Sequence, residues 1–420
     1  MPQSHRGGFG MAMTPRQKIK LSVFTLEGLN SFGTVFYFNY LYFWMRDAFG
    51  FGNKRNLALA ASLGLVYTIA AWRTGKFAQR HGYFSALKTG YVIMALAFAV
   101  GLVLSSFWKC AWAEISVAII VTLGMCFIWP TLEAFVSEGE TAEQLPRMVG
   151  IYNVVWALTA ALAYFTGGSL IKFFSYKVIF ALPLVIVLGM FALAIWLQGH
   201  AAEMAREALE ASTHSPPKPH QPGSPHAKVF LRLAWLANPF AYIAIQTLIA
   251  VIPGIAAKFQ LSPMMAGFAC TLWYFVRVGS FVALWHWPHW HYRFHWLAAA
   301  FVILIASFAA IFMAPNLVVL VIAQIFLGAA IGLMYYSSLF YSMDAGDTKG
   351  EHGGIHEAAI GMGNCIGPAI GALSLQFLPQ YANSAGIAVS LLLLCGFAVF
   401  LVIWKMGRTP GTHEVKAADN

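Results

Sequence analysis

The 420-residue chain is 59% hydrophobic and 10% charged, against about a quarter charged in soluble domains, which excludes a water-dissolved globular protein. A formal charge of +10 would suit a nucleic-acid partner, but cytoplasmic loops of membrane proteins collect the same excess of Lys and Arg. Apolar runs such as Leu297 to Met313, Leu317 to Leu333 and Ser384 to Trp404 are continuous, not alternating, so the chain crosses lipid as α-helices, not as a barrel.

Taken in chain order, windows of about 20 residues, the length that crosses ~30 Å of hydrocarbon, predict spans at 19–45, 56–74, 86–106, 112–137, 148–171 and 178–198. A polar stretch follows, in which Ser212 to Pro225 carries five prolines among His, Ser and Lys. That composition cannot bury a core and reads as a linker. Six more spans are expected at 233–257, 263–286, 294–313, 316–342, 354–377 and 383–405. The organisation is a six-helix half (1–198), a linker (199–232), a second six-helix half (233–405) and a tail (406–420): an all-α integral membrane protein of twelve helices in two pseudo-symmetric halves.

With the N-terminus inside, only Arg46, Lys54, Arg55, Lys109, Lys172, Lys177 and Lys258 fall outside, and Arg277 falls within a span; the rest of the 26 Lys and Arg are cytoplasmic. The positive-inside rule therefore puts both termini and the linker in the cytoplasm of a cell that carries the chain in its inner membrane. The basic charge is topological, and no nucleic-acid partner is implied. Five cysteines show no CxxC pairing and read as small core residues. One offset of 204 residues maps Leu123-Gly124 onto Leu327-Gly328, Gly150-Ile151 onto Gly354-Ile355 and Gly167 onto Gly371, the mark of two homologous halves.

Ionisable side chains inside spans cost about 2.5–3.5 kcal/mol on insertion scales, so each is a candidate for function. Glu27 in the first span and Arg277 in the eighth lie deepest; Glu133, His356 and Glu357 lie nearer span ends, where snorkelling is the alternative. A buried carboxyl such as Glu27 can exchange protons with a gradient. Arg277 cannot, and would hold a carboxylate or an anionic group of a substrate. Polar stripes at helical spacing mark four spans: Glu27, Asn30, Thr34 and Tyr37 in the first; Cys126, Trp129 and Glu133 in the fourth; Asn238, Tyr242 and Gln246 in the seventh; Gln324, Tyr335 and Ser338 in the tenth. A polar stripe in lipid faces a cavity or another helix. Asn30, Thr34, Tyr37, Trp129, Tyr242, Gln246, Tyr335 and Ser338 are the expected substrate contacts.

Between spans two and three stands Gly75-Lys76-Phe77-Ala78-Gln79-Arg80-His81-Gly82-Tyr83. It resembles the loop signature of the major facilitator superfamily in its two glycines and its arginine, with Gln79 where the family carries Asp. The resemblance implies a conformational latch built on Gly75, Gln79, Arg80 and Gly82. It also implies that the first, fourth, seventh and tenth spans line the substrate cavity. Gly354, Gly363, Gly367-Pro368 and Gly371 in span eleven are similar to a glycine and proline pattern that the family's exporters carry in span five; close helix packing around a kink explains them equally.

The loop His286 to His295 holds four histidines among Trp, Tyr and Arg. It would suit an interfacial loop or, in a rival reading, the metal site of a membrane-embedded enzyme. No P-loop, GxSxG or HExxH motif occurs, so neither a cofactor nor a metal is expected and active transport would draw on an ion gradient. The expectation is a monomeric, proton-coupled secondary transporter of a sugar, nucleoside or drug-like solute, with a non-transporting sensor of the same fold as the remaining alternative.

Overall fold

The computed structural model describes residues 15–137, 144–212, 227–345 and 349–408. Among them lie α1 (Pro15–Phe49), α2 (Asn53–His81), α3 (Tyr83–Phe107), α4 (Ala111–Ser137), α5 (Leu145–Phe174) and α6 (Val178–Ser212), then α7 (Ala227–Lys258), α8 (Pro263–Ala269), α9 (Leu272–His286), α10 (Phe294–Met313), α11 (Leu317–Ala345), α12 (Lys349–Phe377) and α13 (Ser384–Arg408). Eleven helical stretches of the described residues are long and apolar enough to cross a membrane, α8 and α9 counting together. α1 is longer than most of them, but its Glu27, Asn30, Ser31, Thr34 and Asn39 make it too polar to stand out by hydropathy.

Every expected span coincides with a helix, and the eighth is broken in two. At the break, Gln324 of α11 donates through Nε2 to the Ala269 carbonyl at 2.7 Å, and the Thr271 hydroxyl donates to the Gly267 carbonyl. Carbonyls freed by a helix break inside lipid require such substitutes. Two expectations are corrected. The Gly75–Tyr83 segment is not a loop: α2 runs on through His81, and Gly82 alone makes the turn, at φ 85°, a left-handed conformation that glycine adopts without strain. The linker expected at 199–232 is helical at both ends, in α6 and α7; its proline-rich centre, residues 213–226, lies outside the described residues, as do most of the tail and the first fourteen residues.

The lipid-facing surface is built from apolar side chains such as Leu96 and Val100 of α3, Val185 and Leu188 of α6, and Leu391 and Val402 of α13. α1 and α7 lie inside, and α7 is buried along most of its length. The halves meet through α2 against α12, through α5 against α8 and α9, and through α1 against α7. A two-fold axis that carries α2 onto α8 and α9 carries α12 onto α5, so the first two contacts are one contact repeated. Glycine permits the close approach. A Cβ on Gly64 of α2 would sit 2.4 Å from the Asn364 carbonyl carbon of α12, and one on Gly361 of α12 would sit 2.7 Å from the Thr68 hydroxyl of α2. In the repeated contact, Gly168 of α5 faces Pro263 and Met264, whereas Gly167 meets Phe36 and Tyr40 of its own half. Gly371 faces Leu57 of the opposite half, so the structural counterpart of Gly371 is Gly168, one residue off the spacing read from sequence.

Overpacking a close contact costs about 1–3 kcal/mol, whereas glycine to alanine on an open helix face gains up to ~1 kcal/mol. Gly64→Ala is therefore expected to lower thermal stability in detergent. Gly189→Ala, whose Cβ would meet nothing within 4 Å, leaves it unchanged or slightly raised; equal melting temperatures for the two variants would contradict the inter-half contact.

Candidate functional site: a polar cavity between the halves

A cavity of about 1040 Å³, solvent at its mouth included, opens between the halves. From the first half it is lined by Glu27, Thr34, Phe38, Tyr67, Trp129, Glu133, Tyr152 and Trp156, and from the second by Tyr242, Gln246, Tyr274, Arg277, Tyr335, Glu357 and Asn364. Nine of the sequence-derived candidates thus converge on one space: Glu27, Thr34, Trp129, Glu133, Tyr242, Gln246, Arg277, Tyr335 and Glu357.

Asn30, Tyr37 and Ser338 do not reach it. Tyr37 packs edge-on against Phe98 and Phe180 inside the first half. Asn30 is fully buried with neither side-chain polar atom hydrogen-bonded. The cause is helical drift: at about 100° per residue the ten residues from Glu27 to Tyr37 stop some 80° short of three turns. The face that meets the cavity runs through Glu27, Thr34 and Phe38 instead. Ser338 points to His356 (Oγ to Nδ1, 3.4 Å), and both line a separate apolar pocket between α7, α11, α12 and α13 that also holds Asn238.

The Glu27 carboxyl is wholly buried; its Oε1 accepts from the Ser31 hydroxyl at 2.8 Å and from Trp129 Nε1 at 3.1 Å. Tyr152 stands beside the carboxyl, and Oε2 has no hydrogen bond of ordinary geometry. Across the cavity floor Glu133 of α4 and Glu357 of α12 are hydrogen-bonded to one another, and the Tyr67 hydroxyl of α2 donates to Glu357 Oε2. A hydrogen bond between two carboxyl groups exists only with a proton on one of them. The pair therefore ties the first half to the second through a titratable proton. Ligand atoms of Glu133, His356 and Glu357 all lie within 4.8 Å of one another, the one grouping of described residues with the spacing of a metal site.

Arg277 of α9 is 3% exposed. Its guanidinium carbon lies 4.5 Å from the Trp156 ring centre, 5.1 Å from Tyr274 and 5.4 Å from Trp273, and Nε has no hydrogen-bond partner. Behind it, Asn39 of α1 reaches the Tyr274 hydroxyl at 3.3 Å and Gln246 of α7 the Tyr42 hydroxyl at 3.1 Å, closing that end of the cavity between the halves.

Sequence reasoning missed Phe38 of α1, Tyr67 of α2, Tyr152 and Trp156 of α5, Tyr274 of α9 and Asn364 of α12. Tyr152 and Trp156 are one helical turn apart and Asn364 lies two turns from Glu357 on one face of α12, signals present in the sequence; Tyr67 leaves none. The candidate latch residues divide. Gln79 and Arg80 are exposed at the end of α2. Gly363 and Gly367 pack against the Pro239 and Ile243 carbonyls of α7 within one half. Gly354 and Pro368 lie in α12.

The histidine-rich loop is packed, not assembled around a centre. His291 stacks on Phe340 at 3.9 Å, His289 lies parallel to Trp287 at 5.7 Å, His286 bonds the Val282 carbonyl, and Trp290 is buried among Tyr336, Phe340 and Tyr341.

Two six-span halves around a shared polar cavity, open to solvent and bounded by helix pairs that cross from one half to the other, define a multi-pass membrane carrier. The family model of the Major Facilitator Superfamily matches residues 23–345, and the chain belongs to that superfamily. It is a transporter and not an enzyme, which removes the rival metalloenzyme reading of the 286–295 loop. A search of curated proteins found no match. Among solved structures the chain is similar to the xylose transporter XylE from E. coli in a partially occluded inward-open conformation, at 13% identity and TM-score 0.67, covering 92% of this chain and 98% of that one. It is similar to the human organic anion transporter MFSD10 at 15% identity and TM-score 0.65, covering 92% and 100%. A bacterial homologue of the human drug peptide transporters PepT1 and PepT2 matches at 15% identity and TM-score 0.65, covering 93% and 98%.

Glutamine at position 357 can still accept from Tyr67 and donate to Glu133, whereas leucine strands both, and an unsatisfied buried polar group costs about 1–3 kcal/mol. Glu357→Gln is expected to melt near the wild type and Glu357→Leu to lose that much stability; thermal unfolding of the purified variants measures the difference.

Proposed function

We propose that the protein is a proton-coupled secondary transporter that carries a small organic solute across the inner membrane by alternating access, as a monomer with both termini in the cytoplasm. The observation that carries this reading is the Glu133–Glu357 hydrogen bond, because its two carboxyls belong to opposite halves. With one proton shared, the pair holds the halves together. With none, two like charges face each other in a site of low dielectric and push the halves apart. Proton occupancy thereby biases which side of the cavity is open, the differential interaction that a conformational change requires. Glu27, on the same cavity and hydrogen-bonded to Trp129 of the same helix as Glu133, is the second proton carrier.

The solute binds among Thr34, Trp129, Tyr242, Gln246 and Tyr335, an aromatic wall with scattered hydrogen-bonding groups that suits a sugar, a nucleoside or an amphipathic drug-like molecule. Rocking of the halves proceeds about the glycine-mediated α2–α12 and α5–α8 contacts. The topology follows from the Lys and Arg distribution.

A solute found by thermal-shift screening and offered to proteoliposomes under an imposed pH gradient is expected to accumulate above its external level, and a protonophore abolishes the accumulation. Glu27→Gln and Glu357→Gln retain solute exchange and lose uphill uptake. Accumulation indifferent to the protonophore, and unchanged in both variants, would remove protons from the mechanism.

A further inference from the structure

Arg277 is the one feature of the cavity that proton coupling leaves unexplained. A guanidinium is permanently charged, and one taken out of water is tolerated where an anion or several hydrogen-bond acceptors meet it. Among the described residues no carboxylate forms an ion pair with Arg277. Its neighbours are the rings of Trp156, Tyr274 and Trp273, which offer no acceptor for a bidentate fork, and its Nε has no hydrogen-bond partner. The three cavity carboxyls are committed elsewhere: Glu27 to Ser31 and Trp129, Glu133 and Glu357 to each other and to Tyr67. Tyr242 and Tyr335 stand between, each within electrostatic reach of both the guanidinium and the Glu133–Glu357 pair. The cavity is therefore polarised, with a fixed cation in an aromatic box on one side and proton-bearing carboxyls on the other.

We infer that Arg277 is the anion subsite of the transport cavity and that the solute is an organic monocarboxylate with an apolar or aromatic body. The planar fork of the guanidinium matches a carboxylate in bidentate fashion, and the rings that flank it are left to enclose the carbon skeleton. Neither a sugar nor a neutral nucleoside supplies the charge that Arg277 lacks. A monoanion carried together with one proton moves no net charge across the bilayer. The inference rests on the transporter reading for its meaning but stands on the geometry of Arg277 for its evidence.

The test is a binding measurement that needs no membrane. Thermal shift and isothermal titration of the purified full chain use a panel of aromatic and aliphatic monocarboxylates (benzoate, phenylacetate, hexanoate), each paired with its primary amide as a neutral isostere. At least one acid is expected to bind the wild type tenfold or more tightly than its amide. Arg277→Gln should abolish that preference, and Arg277→Lys should keep part of it. If Arg277→Gln does not fold, the acid-to-amide ratio on the wild type decides alone. Amides binding as tightly as their acids, Arg277→Gln binding acids like the wild type, or no acid binding at millimolar concentration each overturns the anion subsite. Acid binding without proton-driven accumulation in vesicles would instead leave the subsite standing and sink the transport reading.

Discussion

The organising constraint is the cost of charge in lipid. A chain that is one-tenth charged turns Glu27, Glu133, Glu357 and Arg277 onto one cavity between helices whose outer faces are leucine, valine and isoleucine. Such groups persist in a bilayer only when turned toward water, toward one another or toward a ligand. Two six-helix halves that each turn a polar face inward meet that requirement, and the cavity between them is its consequence. The aromatic packing inside each half, such as Tyr37 with Phe98 and Phe180, keeps those faces at a fixed angle while the contacts between halves stay narrow.

Those contacts are of two chemical kinds. Along α2 and α12, and again along α5 and α8, glycines bring backbones together with little side chain between them, a surface that can roll without unpacking a core. At the cavity floor the contact is a hydrogen-bonded carboxyl pair steadied by Tyr67, and its strength depends on a single proton. Joining a low-friction contact to a protonation-dependent one gives a bistable element of the sort through which a gradient can act on a conformation.

The fold was legible because hydropathy reports span length directly, and the spans at 56–74 and 294–313 lie within α2 and α10. Charged and aromatic residues on α1, α4, α7, α9 and α11 were legible as cavity positions because lipid penalises them wherever else they point. Three things were not. The break at Cys270 and Thr271 depends on Gln324, distant in sequence. Helical drift carries Asn30 and Tyr37 out of register with Glu27, which an alignment of three- and four-residue steps conceals. The contribution of Tyr67 arises where α2 meets α12 across the halves, and no local pattern encodes which helices of opposite halves touch.

The central claim is that polar side chains of both halves share one water-accessible cavity while the flanks of the bundle lie in lipid. In a background with the five native cysteines replaced, Val35→Cys and Asn364→Cys on the cavity wall and Leu391→Cys on the outer face of α13 can be exposed in membranes to a charged, water-soluble thiol reagent. The account predicts modification of the first two, from opposite halves and from the same side of the membrane, and protection of the third. Labelling of Leu391→Cys with both cavity positions inert would contradict it.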